Sequence, residues 1–154
     1  MNEKKRASLP HLTVAALIAD NGRYLMVKET QDGQVVLNQP AGHVENGESL
    51  QQAVIRETLE EAGWQVEPTA ILGMYAFTPF AGADTYHRIC VICRPIGHMT
   101  DSLDPDILCA GWFTREEIEQ HPQRSPLILE CINDFENGQN FPIKMINNHH
   151  LEAK

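Results

Sequence analysis

Residues 49–63 place the tightest constraint on the fold. Ser49 and Gln52 stand at capping-box spacing, no proline or glycine intervenes until Gly63, and Gly63 is itself a helix stop. A segment punctuated in this way builds one helix and buries part of its circumference. Within it, Glu57, Glu60 and Glu61 fall at i, i+3 and i+4. At about 100° per residue these carboxylates share a face, and Ile55, Leu59 and Ala62 are expected on nearly the opposite one, available for packing. An acidic helix face is ordinarily just solvated. Here, however, the carboxylates crowd the end of the helix that carries partial negative charge, and Glu57 and Glu61 repel each other at i, i+4. A hard divalent cation with oxygen ligands offsets these penalties together, and Mg2+ suits the task best. Arg56 offsets only one charge, so helix geometry by itself leaves the solvated face and the metal site evenly matched.

The flanks of this helix read as sheet. Residues 11–19 are apolar and β-branched, Asn21-Gly22 is a hairpin signal, and residues 24–28 resume the apolar pattern. A third strand is expected at 35–38, ended by Pro40 and Gly42, and the polar stretch from there to Glu48 reads as a loop. Strand-like runs recur at 70–77, 86–96 and 108–113, with a short acidic helix at 115–120 and a last helix at 126–136. Residues 141–146 read as a short strand or an extended tail. No repeat or linker divides the chain, so a single domain over residues 11–146 is expected, with tails at 1–10 and 147–154. This order implies an α/β fold with a mixed sheet between helices.

Composition narrows the function classes. The 154 residues are 42% hydrophobic, enough for one ordinary core. A formal net charge of -9 repels a polyanion, which argues against a nucleic-acid polymer as partner. A small phosphorylated substrate escorted by a cation meets no such barrier. No apolar run approaches the roughly 20 residues needed to span a membrane. Lys4, Lys5 and Arg6 precede the apolar run 12–19 in the manner of a leader, but no small-residue cleavage site follows; a first strand and a cytoplasmic protein are expected. Cys90, Cys93, Cys109 and Cys131 are read as reduced core thiols. The CxxC spacing of Cys90 and Cys93 has no second pair at zinc-finger distance, and a strand aims the two to opposite faces. His149 and His150 lie in a polar tail and are read as incidental.

The wider context of the helix tips the balance towards the metal site. Gly42, five residues, Glu48, seven residues, then Arg56-Glu57-Thr58-Leu59-Glu60-Glu61-Ala62-Gly63-Trp64 resembles the Nudix box, GX5EX7REUXEEXGU with U a bulky apolar residue. Every fixed position is matched; Thr58 stands where an aliphatic residue is usual. Membership of the Nudix family implies an α/β/α sandwich around a mixed sheet. It implies that Glu57, Glu60 and Glu61 bind Mg2+, with Mn2+ as a substitute and the Gly42 carbonyl as a further ligand, and that Arg56 and Glu48 orient them. The reaction implied is attack of water on a phosphorus of a diphosphate. The cations neutralise phosphate charge and lower the pKa of bound water, and a carboxylate base completes its activation.

Beyond the box, residues 37–45, Arg124-Ser125-Pro126-Leu127 and Gly138-Gln139-Asn140-Phe141-Pro142 resemble the NudJ-type phosphatases. That group is associated with hydroxymethylpyrimidine pyrophosphate and with nucleoside di- and triphosphates, releasing orthophosphate. Leu37 departs from the pattern where tryptophan is expected, and so withdraws a stacking surface at that position. Asp104 and Asp106 precede Trp112 where the family often places an acidic residue; Asp106 is the favoured aid to the attacking water, and an ordinary acidic turn is the plainer alternative. Arg88 is a candidate phosphate contact or a surface ion pair. Asn38 and Gln39 are candidates for binding a base or, more plainly, for satisfying strand ends. The competing functions are a nucleoside triphosphate pyrophosphohydrolase of another Nudix specificity and a non-catalytic ligand-binding module. The expected assembly is a monomer or homodimer.

Overall fold

The computed structural model describes residues 9–153. The basic run at 4–6, and with it most of the expected N-terminal tail, lies outside the described residues. The chain opens with β1 (His11–Asp20) and β2 (Arg23–Gln31), joined through Asn21-Gly22. Both turn residues take positive φ, 51° and 74°, which is the geometry a two-residue hairpin requires. β3 (Gln34–Asn38) follows through Asp32-Gly33, a second turn of the same kind, and pairs antiparallel with β2. Ala19 and Asp20 are the β1 residues that pair with β2; further down, β1 leaves the hairpin and runs parallel to β6 (Tyr86–His98) from His11 to Ile18. β6 pairs antiparallel with β5 (Trp64–Phe77), and β7 (Ile107–Thr114) returns to β2. The result is an eight-stranded mixed sheet.

The alternation of β1 sorts the core into two layers. Val14, Ala16 and Ile18 pack with Val91, Cys93 and the helix α1 (Leu50–Ala62) on one side. Ala15 and Leu17 pack with Leu72, Cys90 and the later helices on the other, α2 (Arg115–Gln120) and α3 (Leu127–Glu136). Ile128 and Ile132, 0% and 2% exposed, anchor α3; burying each is worth roughly 1.5–3 kcal/mol. This is the α/β/α sandwich expected. Cys90 and Cys93 lie in different layers, as their strand spacing requires, and the described cysteines are all free.

Several expectations need correction. Ala41–His43, expected within a loop, forms a short strand, β4, because its backbone finds the open edge of β1: Thr13 faces His43, Val14 faces Gly42, Ala15 faces Ala41. β5 begins at Trp64, well before residue 70, and carries Pro68 through a register shift between Pro68 and Ala70. Cys109 is exposed rather than a core thiol. On α1 the packing face is Ala53, Val54 and Ala62, with Ile55 and Leu59 only half-buried. The helix is rolled so that its carboxylate face also turns inward, which leaves Glu57 9% exposed. After α3 come β8 (Phe141–Pro142) and a 3-10 turn (Ile143–Met145).

Candidate active site

Both ends of α1 are fixed by the sequence. Ser49 accepts from Gln52 N–H at 3.0 Å, and Gln52 returns a bond to Ser49 N–H at 2.8 Å. Gly63 adopts the left-handed conformation, φ 73°, where a side chain would also overlap the Thr100 carbonyl. The exposed carbonyls at this end are used to hold the next loop: Met99 N–H donates to Gly63 O at 2.8 Å and Asp104 N–H donates to Glu60 O at 2.8 Å. Asp104 is thereby brought up beside the glutamates.

Arg56 organises the glutamates. It grips Glu48 through two bonds, Nε to Oε2 at 2.7 Å and Nη2 to Oε1 at 3.0 Å. Nη1 donates to Glu57 at 2.8 Å and to Glu60 at 3.2 Å, and Nη2 also reaches His43 O at 3.1 Å. The bond from Arg56 holds the Glu48 carboxyl below its ordinary pKa. Glu57 goes the other way: burial raises it, Arg56 opposes, and Glu60 and Asp104 add repulsion. Glu61 is pushed up to about 8, first by burial and then by Glu57, Glu29 and Asp104, against a bond from Ala41 N–H at 2.9 Å that lowers it. Among the described residues no basic side chain lies within ion-pair reach of Glu61. Gly42 completes the cradle, because a Cβ there would overlap the Glu57 carboxylate.

As they stand, no three acidic, histidine or cysteine side chains among the described residues converge as a metal-binding group. Glu57 and Glu60 are instead drawn to Arg56. The donor set still suits a hard divalent cation: oxygens only, a buried carboxyl, Glu61, with no basic partner among the described residues, a second, Glu57, that Arg56 only partly offsets, and a backbone left bare at Gly42.

A cavity of about 450 Å3 opens beside Glu61, with Asp104, Asp106, Glu29 and Arg124 in its wall. Asp104 is half-buried and raises both Glu57 and Glu61; Asp106 is exposed at the rim. The spacing to Trp112 favoured Asp106, whereas proximity favours Asp104. Glu29 was missed by sequence reasoning. It is 7% exposed, bonded by Asn38 Nδ2 at 3.0 Å and by Arg124 at 2.9 Å. Nothing in its local pattern marks it, since it lies inside an ordinary strand.

Asn38 and Gln39 are buried, and their side chains are engaged with protein. Asn38 holds Glu29 and accepts from Gln39 N–H at 2.9 Å. Gln39 is 2% exposed, and its Oε1 accepts from Arg88 Nη1 at 3.3 Å. Arg88 makes no ion pair with a described residue, so the surface salt bridge considered for it is not formed. It lines a second cavity of about 460 Å3 together with Phe77, Phe80, Tyr86 and Arg124. Leu37 is 1% exposed in the core, so its departure from tryptophan concerns packing. Its backbone bonds Pro122 O and Arg124 N–H at 2.8 and 2.9 Å, which sets the segment carrying Arg124 alongside β3. A larger cavity of about 590 Å3, lined by Ile71, Met74, Phe141 and Met145 among others, has no acid or base in its wall.

The chain matches the NUDIX domain model over residues 9–131. It is 38% identical over 143 residues to the protein called phosphatase NudJ in Escherichia coli K12, covering 89% of this chain and 90% of that one, and equally to its counterpart in Shigella flexneri. Among solved structures it resembles a NUDIX hydrolase from Nitrosomonas europaea, with a TM-score of 0.85, 38% identity and coverage of 90% and 96%. The NUDIX domain of Shewanella oneidensis NrtR, crystallised with ADP ribose, shares the fold alone at 17% identity, a TM-score of 0.70 and coverage of 89% and 93%. A box held by Arg56, a sandwich of the matching architecture and relatives alike over nearly the whole chain lead to one conclusion: this chain belongs to the Nudix hydrolase family.

Proposed function

We propose that this hydrolase removes orthophosphate from small organic diphosphates and triphosphates, with hydroxymethylpyrimidine pyrophosphate and nucleoside di- and triphosphates as its substrates. The observation that carries the reading is the buried pair of carboxyls against the bare backbone of Gly42: Glu57, held by Arg56, and Glu61, which has no basic partner among the described residues. It is supported by the extent of the likeness to phosphatase NudJ. Residues 11–146 act as the catalytic domain.

Glu57, Glu60 and Glu61, with the Gly42 carbonyl, would hold Mg2+ or, in its place, Mn2+. Such a cation neutralises phosphate oxygens and acidifies the attacking water. Arg56 keeps the carboxylates in register, and Glu48 fixes Arg56 from behind. An acidic side chain of the 104–106 loop, or Glu60, accepts the proton of the attacking water.

Hydrolysis in isotope-labelled water, with separate detection of orthophosphate and pyrophosphate, tests this. Labelled orthophosphate from both the pyrimidine diphosphate and the nucleoside triphosphates is the expected result. Direct release of pyrophosphate, with the pyrimidine diphosphate inert, would replace this reading with a pyrophosphohydrolase. Binding without turnover in Mg2+ would replace it with a ligand-binding module.

A further inference from the structure

Arg88 is a cation without a counter-ion. It is half-buried on β6, its one side-chain bond to a described residue is the 3.3 Å contact with Gln39, and no described carboxylate lies within ion-pair distance. Burial lowers its pKa below the ordinary guanidinium value, and Arg124 acts in the same direction. Arg124 differs, because Glu29 neutralises it. Most of the Arg88 donors therefore remain available, in a planar fork that matches phosphate.

The cavity Arg88 faces is amphipathic. Phe77, Pro79 and Phe80 line it, and Phe80 is 71% exposed with no aromatic partner among the described residues. Tyr86 stacks on His11 at 4.5 Å, and His11 is tied to Asp84 and to His43 at 2.8 Å each, so this wall is braced against β4. The volume of about 460 Å3 falls within the range of small-ligand pockets. Arg124 lines both this cavity and the carboxylate cleft, so the two are neighbours separated by one side chain.

We propose that this cavity seats the half of the substrate that is not hydrolysed, a flat heterocycle bearing one phosphate, with Arg88 reading that phosphate and Phe80 stacking on the ring. The inference rests on the hydrolase reading for its orientation: the terminal phosphate lies among the glutamates and the remaining monophosphate lies across Arg124 beside Arg88. Gln39 is a positioning residue that aims Arg88. The stacking surface withdrawn at Leu37 is in this reading supplied instead by the 77–86 segment.

Binding to the metal-free protein in excess chelator separates this idea from catalysis. Uridine monophosphate, uridine and inorganic phosphate are titrated by calorimetry and by NMR into wild type, Arg88→Gln, Arg88→Lys and Phe80→Ala. Uridine monophosphate should bind wild type, weaken at least about tenfold in Arg88→Gln and recover partly in Arg88→Lys. Phe80→Ala should weaken the nucleotide and uridine by about fivefold and leave inorganic phosphate unchanged. In turnover, Arg88→Gln should raise KM for uridine diphosphate about tenfold and leave kcat within about twofold. Equal nucleotide binding by wild type, Arg88→Gln and Phe80→Ala overturns the assignment even if hydrolysis is intact. Arg88-dependent binding by a chain that hydrolyses nothing would leave the pocket standing and remove only the hydrolase reading. Phe80 is exposed, so its variant keeps the test valid should Arg88→Gln fail to fold.

Discussion

The carboxylate cleft and the arginine–aromatic cavity meet at Arg124, yet they are built in opposite ways. Beside the cleft one helix supplies Glu57, Glu60 and Glu61, and a single guanidinium, Arg56, bonds Glu48, Glu57 and Glu60 at once; Glu29, Asp104 and Asp106 complete the acidic wall around Glu61. The cavity draws Arg88 from β6, Phe80 from the loop before it and Arg124 from the segment before α3. Their electrostatics differ as well: the cleft buries the Glu61 carboxyl with no basic side chain in ion-pair reach among the described residues, and the cavity holds the Arg88 guanidinium with no described carboxylate in such reach. Each lacks what a metal-escorted phosphate would bring. The contrast suggests that chemistry is concentrated in the helix and that selectivity is spread across the sheet end.

The harshest way to break that division is to remove a carboxylate. Glu61→Gln should lower kcat by at least about 100-fold, while the melting temperature in chelator holds near pH 6, where Glu61 keeps its proton, and rises above about pH 8, where a costly buried charge is replaced by its neutral shape. Excess chelator should abolish wild-type turnover. Full activity in chelator would show that the carboxylate face is only a packing feature.

A second test uses pH. Glu61, pushed up to about 8, retains its proton in the folded chain over a range where the unfolded chain has released it. Its contribution to stability is therefore complete below the ordinary carboxylate range and is lost as pH rises through about 8. Glu57, also raised, acts with the same sign. Metal-free protein should melt about 4–8 °C higher near pH 6 than near pH 8.5, on the order of 2 kcal/mol after solvent screening. Added Mg2+, which binds the ionised form, should stabilise more at the higher pH. Thermal melts with and without chelator read both slopes, and Glu61→Gln should flatten the first.

These two regions also differ in how far the sequence discloses them. The cleft is legible because its spacings are helical: Ser49, Gln52, the glutamates and Gly63 determine one another within a few turns. The cavity is illegible because β pairing brings Arg88, Gln39 and Arg124 together from distant parts of the chain, and no local pattern announces Glu29 as the anchor of Arg124. β4 was hidden for a related reason. Ala41-Gly42-His43 has no strand composition and pairs only because the β1 edge stands open beside it. The inward roll of α1 was missed because helical periodicity locates a carboxylate face and does not say what lies opposite it.

A finer comparison concerns the 104–106 loop. Asp104 is held by its own N–H against Glu60 O and acts on Glu57 and Glu61, whereas Asp106 lies exposed at the rim. Asp104→Asn should cost about tenfold in kcat and Asp106→Asn less than about threefold. The reverse order, read from pH–rate profiles of both variants, would return the proton-accepting role to Asp106.

The smallest expected effect tests whether the one departure from the box matters. Thr58 is fully buried, and its hydroxyl donates to Val54 O at 2.7 Å. That carbonyl is already the acceptor of the regular helix bond, so the side-chain bond is an addition and losing it leaves no group unsatisfied. Valine has nearly the same shape and the same β-branching, so the rotamer is kept and a methyl replaces a polar group in an apolar layer. Thr58→Val should therefore change stability by less than about 1 kcal/mol, with stabilisation the favoured sign, and leave kcat unaltered. Thr58→Ile adds a methylene where the site is 0% exposed, and should lose about 1–3 kcal/mol through overpacking. Denaturant melts of the two variants distinguish the contributions of hydroxyl and volume. If Thr58→Val instead lost activity, the back-bond would be setting the pitch of the turn that carries Glu57 and Glu61, and the packing side of α1 would belong to the catalytic apparatus.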